Sequence, residues 1–456
     1  MEKYIAAIDL GTKKVAAAIG ERTPHGVKII AYAQVPSRGM NHGRIENPAN
    51  ASSAIKEAVE KVEAECGLKI EKAYIGIAGH DIQCIITDPV LTPRKVAEEL
   101  ITQEEISNIA KGLCDTELDN GYKVLSAIPQ SYNVDNNMSV SQAVGMIGKN
   151  IVSRYKLLIG KETFNQLTKT TMKFAGVQMI EGVVEPIAAA KAVLSEAERD
   201  AGVVVVDIGG GTTDVIVIQN DIVRHVGIIP FGGNSITNDI CYGCKISPKQ
   251  AEILKINYGC CFADYADANK SVIIKSLSGK DIEIQTKTLA KIIQARMEEI
   301  LDAVTYHVEQ SGFSRNIRAG YVFTGGGSQI KNLINLANNI TGKEVRLATP
   351  SAVTITADSV DPAKDFTAST AVGLILYGFQ KVDEEGLFSV SSVIENLESS
   401  VVKPVERQTV AVEKVAEVKP EAKRKRAKVK DGGRGLFSKL NISLFGDNDD
   451  NDLNAV

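Results

Sequence analysis

Up to about Gln380, short apolar runs alternate with stretches whose apolar positions recur at helical spacing. KVLSAIPQSYNV reads as a strand and EEISNIAKGL as an amphipathic helix, so this part of the chain is predicted to be α/β. Beyond it the residues are mainly Val, Lys, Glu, Ser and Arg without sustained apolar periodicity, which predicts a disordered linker over 381–432. The chain then offers a short apolar island, GRGLFSKLNISLFG (433–446), and an acidic tail over 447–456. On a helical wheel Leu436, Phe437, Leu440 and Leu444 share one face, Lys439 lies away from it, and Ile442 falls off it.

One pattern occurs twice. Residues 5–19, IAAIDLGTKKVAAAI, and residues 203–218, VVVVDIGGGTTDVIVI, both read strand, Asp-x-Gly turn, strand. Such self-similarity predicts two related α/β halves facing each other, each pointing one hairpin turn at something shared. Glycine lets a backbone approach a ligand closely, and consecutive amides in such a turn form a seat for anions, phosphate above all. Asp9 and Asp207 beside a polyphosphate would repel it unless a cation lies between, which implies Mg²⁺ held through waters. A third element, YVFTGGGSQI (321–330), predicts a strand, a glycine triplet open to a flat base or sugar, and a helix starting near Ser328. Glu185 precedes a proline that can begin a helix, where an acid is also favoured by the helix dipole alone.

Composition narrows the classes. A chain of 456 residues has room for more than one domain, and 44% hydrophobic with 24% charged residues is the balance of a soluble globular protein. A net charge of −4 gives no global reason to expect nucleic acid, and the absence of Trp offers little base-stacking surface. Seven scattered cysteines do not form a disulfide framework and suggest a reducing compartment. Asp9 ends the first apolar stretch too early for a secretory signal, and no run approaches bilayer length. The expected location is the cytosol, or a membrane reached from its cytosolic side. Cys241 and Cys244 sit in a predicted helix, and adjacent Cys260 and Cys261 are poor partners on one ion, so buried thiols are expected rather than zinc. His225 and His307 read as isolated and structural.

The ordered set of three glycine turns resembles the actin-like ATPase superfamily. That resemblance implies ATP between the halves, with Asp9, Gly11, Thr12 and Lys14 in the first phosphate turn. Asp207, Gly209, Gly210, Gly211, Thr212 and Thr213 would form the second, and Gly325, Gly326 and Gly327 would face adenosine. It also implies that Glu252 and Lys255 lie near ribose and base, though as an i,i+3 pair they could equally be an exposed helix pair. Glu185 matches the acid that orients the attacking water.

YIGIAGHDI, VVEPIAAAKAVL, GIIPFGGNSITNDI, AEILKINYG and TASTAVGLILYG, taken with the three turns, resemble the FtsA family of bacterial division proteins. The resemblance implies an actin-like two-domain ATPase fold with an FtsA-type inserted subdomain over 83–165. The first half would be 1–82 and 166–200, the second 201–380. It further implies self-polymerisation, slow ATP hydrolysis at most, and recruitment of later division proteins at the division site. The tail of tubulin-like FtsZ would dock near LAKIIQARMEEILDAV through Arg296 and Glu299, whose plainer reading is a solvated helix face. The 433–446 island beside KRKRAK would rest on anionic lipid of the cytoplasmic membrane. A partner-binding helix, or one folding back on the core, remains open for the same island. Rival readings are a small-molecule kinase of the same superfamily and a pilus-assembly actin homologue.

Overall fold

The computed structural model describes residues 3–395 apart from 80, 136, 277, 352–353 and 356–360. The predicted linker from 396 onward, the island carrying Leu436, Phe437, Leu440 and Leu444, and the acidic tail lie outside the described residues.

Two sheets carry the repeat seen in the sequence. In one, Gly26–Pro36, Lys14–Thr23 and Tyr4–Leu10 form an antiparallel meander, and Lys72–Ile77 then Gln178–Val184 continue it in parallel. In the other, Ile222–Ile229, Thr213–Gln219 and Val203–Ile208 form the meander, followed in parallel by Tyr321–Thr324 and Val345–Leu347. The order and the strand directions are the same in both. The first sheet adds the short strand Thr354–Ile355 beyond its meander. Helices cover both faces of the second sheet, so Val203, Val204, Val205 and Val206 are all buried, and an unbroken apolar run replaces alternation.

Between the sheets lie two helices, Glu185–Val193 and Ser369–Glu395, packed on each other. Their contact is closer than ordinary side chains permit: a Cβ on Gly373 would sit 1.8 Å from the carbonyl oxygen of Ala188. Ala188, Ala192, Ala371, Val372 and Ile375 join Ile5 and Ala18 of one sheet to Val205 and Ile216 of the other in a single core. On the first sheet the longer helix is seated by Gly20 and Gly378, whose Cβ positions are filled by Ile375 and by Tyr74 and Ile5. This helix covers the first fifteen residues of the predicted linker, 381–395. Its apolar face continues to buried Phe379, and Arg22 clamps the next turn. The guanidinium donates to both Asp383 carboxylate oxygens and to the Phe379 carbonyl at 3.0 Å, and stacks over the Phe379 ring.

Strands Gln83–Ile86, Val90–Pro93, Tyr122–Val134 and Asn150–Lys161 form a separate sheet inside the first half, with helix Gln103–Cys114 against it. Thr102 and Glu105 close that helix in a reciprocal cap. The long strand Asn150–Lys161 pairs with the other three. The sheet docks on edge strand Ile222–Ile229 of the second half, where Gln130 Nε2 donates to the Val223 carbonyl and Lys156 to that of Arg224. An insertion from one half therefore also touches the other.

His225 and His307 are not isolated. They face each other with Nε2 and Nδ1 3.0 Å apart, and the His307 ring occupies the space a side chain at Gly227 would need. Burial, then the facing His307 and Lys156, push His225 down to about 3, and burial also lowers His307. A histidine depressed in the fold binds its proton more readily when unfolded, so its stabilisation is present above about 6.5 and is lost as pH falls toward 3. At pH 5 the loss from His225 alone should be about 2 kcal/mol by linkage. Thermal melts at pH 7.5 and 5 should therefore separate, and His225→Gln should narrow that separation.

Candidate functional site

The two hairpin turns meet at one cleft of about 560 Å³. Asp9, Gly11, Thr12 and Lys14 line it from one side, with Asp207, Gly209, Gly210, Gly211 and Thr212 opposite. Gly325, Gly326, Gly327, Glu185, Glu252 and Lys255 complete the wall. The halves close tightly at the turns: a Cβ on Gly210 would strike the Lys13 side chain at 2.5 Å, and one on Gly211 the Thr12 hydroxyl at 2.5 Å.

Thr213 is the exception among the predicted cleft residues. It is buried, and its hydroxyl donates to the Phe231 carbonyl at 2.8 Å. Side chains alternate along a strand, so Thr212 and Asp214 face the cleft and Thr213 faces the core. Asp214 was missed by the sequence reading although that same alternation signals it.

The third turn also differs in detail. Gly326–Gln329 is a short 3-10 turn, and the helix begins at Leu333 rather than near Ser328. The Ser328 hydroxyl donates back to the Gly325 carbonyl at 2.7 Å and Asn332 takes a left-handed conformation, which together delay the helix. Gly325 has φ +85°, and a Cβ there would lie 2.1 Å from Asp207 Oδ1, so glycine is required on both counts. Glu252 and Lys255 are not an exposed pair. Lys255 is largely buried and donates to Glu252, to the Thr237 hydroxyl and to the Gly233 carbonyl, each at 2.8 Å.

Electrostatically the cleft is out of balance. Lys14 pairs with Asp9 at 3.2 Å. Burial works against its ammonium, but Tyr32, Asp9 and Asp365 more than offset this and hold it above the usual lysine range. Burial, then the Asp9 charge, push Asp207 up to about 7. Glu185 and Asp214 lie well above the ordinary carboxyl range, chiefly through burial and then through neighbouring carboxylates. Glu185 opens helix Glu185–Val193 ahead of Pro186, and its Oε1, like Asp214 Oδ1, is buried without a hydrogen-bond partner. Orphaned carboxylate oxygens around one wall suit a divalent cation. Among the described residues no three His, Cys, Asp or Glu side chains converge as direct metal ligands.

Arg296 and Glu299 lie elsewhere, on helix Thr286–Gln310. Arg296 grips Asp239 at 2.7 and 3.1 Å, bonds Glu299 at 2.6 Å and lies over the Phe231 ring. The seven cysteines are free thiols, with Cys241 and Cys244 in helix Gly233–Cys244 and Cys260 and Cys261 buried.

A family model described as "Cell division protein FtsA" matches residues 204–373, and one described as "SHS2 domain inserted in FTSA" matches 87–159, within the inserted sheet. The Escherichia coli (strain K12) cell division protein FtsA is 31% identical over 416 residues, covering 87% of this chain and 97% of that one. The chain belongs to the FtsA family. FtsA of Neisseria meningitidis serogroup B is 32% identical over 377 residues, covering 82% of this chain and 90% of that one. This FtsA family member is thus an actin-like cell-division protein. A solved structure of a PilM–PilN type IV pilus biogenesis complex matches with TM-score 0.59 at 16% identity, covering 82% of this chain and 98% of that one. That likeness concerns the fold alone. No helix among the described residues is long and apolar enough to cross a membrane.

The raised Asp207 carboxyl has a stability consequence. Its folded value near 7 exceeds the ordinary 3.8, so the native state holds a proton that the unfolded chain gives up. Stability from this group is present below about 3.8 and declines as pH rises through 7. Without nucleotide or divalent cation, Asp207→Asn should melt several degrees above wild type at pH 8.5, and the gap should close toward pH 5. Parallel calorimetric scans at the two pH values check this.

Proposed function

We propose that this FtsA family member binds ATP with Mg²⁺ in the cleft and uses the bound state to polymerise on the cytoplasmic membrane. There it ties FtsZ to the membrane at the division site and recruits later division proteins. The observation that carries the reading is the convergence of three glycine turns on a cleft where Lys14 pairs with Asp9 while Asp214 and Glu185 each bury an oxygen without a hydrogen-bond partner. The turn amides suit phosphates, the Gly325, Gly326 and Gly327 turn suits a nucleoside, and Lys14 adds a fixed positive charge. Bound magnesium would supply the positive charge that lets phosphate approach Asp9 and Asp207. Glu185, which lines the cleft, would orient a water beside the phosphate end, and hydrolysis there would be slow, because assembly depends on binding more than on turnover. Titration calorimetry with Mg-ATP tests the site. Asp207→Ala should weaken binding at least tenfold, about 1.4 kcal/mol, while the protein stays folded. Unchanged affinity in that variant overturns the assignment.

For membrane attachment the support is sequence-based. Burying Leu436, Phe437, Leu440 and Leu444 at about 25 cal/mol per Å² gives a few kcal/mol before ordering costs, and each well-placed cation adds about 1 kcal/mol near an anionic leaflet. One such tail is weak; a polymer bearing many would be held by avidity. Deleting 433–456 should abolish co-sedimentation with anionic phospholipid vesicles and leave Mg-ATP affinity intact. For FtsZ, helix Thr286–Gln310 is the proposed seat. An acidic or carboxyl-terminated peptide docking there would compete with Asp239 and Glu299 for Arg296.

A further inference from the structure

Strands Met40–Asn41 and Arg44–Ile45 form a minimal hairpin whose two turn residues, His42 and Gly43, both have positive φ, 43° and 74°. Positive φ at both central positions is the signature of a type I′ turn, whose favoured first residue is Asn or Gly. Histidine is less common there than Asn or Gly. What it adds is reach. Its Nδ1 lies 2.8 Å from the carbonyl oxygen of Gly211, in the phosphate turn of the opposite half. The next residue, Gly43, donates its N–H to the Thr12 hydroxyl at 3.0 Å, in the phosphate turn of its own half. One two-residue turn therefore grips both phosphate turns. Nothing else fits between them: a Cβ on Gly211 would meet Thr12 Oγ1 at 2.5 Å and His42 Cα at 3.0 Å.

A ring nitrogen facing a carbonyl can only donate, so Nδ1 carries the proton. The Gly211 carbonyl shares a planar trans peptide with the Thr212 N–H, so pinning the oxygen also fixes the direction of that amide. Opening the halves at this point has to break the His42 bond.

We propose that His42 is a cross-cleft positioning residue: it holds the second phosphate turn in its nucleotide-ready conformation and ties nucleotide occupancy to closure of the two halves. The proposal rests on the nucleotide reading of the cleft. His42→Asn supplies the residue the turn favours but one too short to reach Gly211, and His42→Gly removes the side chain while keeping the turn. Both variants should melt, nucleotide-free, at or above the wild-type temperature, and both should bind Mg-ATP about tenfold more weakly, the scale of one well-placed hydrogen bond. In wild type, long-range ¹H–¹⁵N spectra of the histidine side chains should show His42 protonated at Nδ1, with that state retained when Mg-ATP is added. Equal Mg-ATP affinity in wild type and His42→Asn overturns the proposal. So does a nucleotide-free melting loss in both variants as large as the loss with nucleotide, because that marks a structural prop, and so does protonation at Nε2 alone. A wild type that does not bind Mg-ATP instead defeats the reading of the cleft itself, and is recognised as such because it needs no variant.

Discussion

Asp9, Asp214 and Glu185 are buried and Asp207 half-buried around one cleft beside Lys14, and that crowding governs much of the rest. Water would ordinarily dissolve such a cluster by separating its members or hydrating each. Here neither escape exists, because the acids are fixed at strand ends and at a helix start on elements that are themselves buried. The stabilisation that offsets the cost comes from outside the cleft, in the apolar core around the two crossing helices. Close packing at Gly373 against Ala188 brings the halves near enough for their turns to share one space. A bulkier crossing would widen the cleft and relax the acids.

Much of this was legible in the sequence. The two hairpins announced themselves because their strands are apolar runs and their turns are nearly side-chain-free, and both features are local. The duplicated sheet order follows from the same repeat. What stayed hidden depends on long-range contact. His225 and His307 are 82 residues apart, and no spacing rule brings them face to face. Lys255 and Glu252 could not be told from a solvated pair until Gly233 and Thr237 were seen to close over them. Asp214 and Thr213 were separable in principle, since two-residue alternation assigns one to each face, yet the adjacent Thr212 and Thr213 read as one feature. The end of the last helix was misjudged because its support, Arg22, lies more than 350 residues earlier.

The inserted sheet makes the architecture more than two halves and a hinge. It is built from the first half yet bonds to the edge strand Ile222–Ile229 of the second through Gln130 and Lys156. These contacts satisfy two carbonyls of that edge, Val223 and Arg224, and partly shield a strand edge that would otherwise invite association. The halves are thus linked at the crossing helices, at the cleft and at this flank, and relative movement has to accommodate all three.

The last helix can also be viewed as a mechanical part. Helix Ser369–Glu395 is a rod wedged near its start between the two sheets, at Gly373. A pull along this helix is met first by the Arg22 grip on Asp383 and Phe379, which ties the rod to an interior strand of the first sheet. Load is thereby shunted into one half before it reaches the crossing. The rod then behaves as a cantilever anchored in the first half, so tension along it would strain that anchorage before prising the cleft apart.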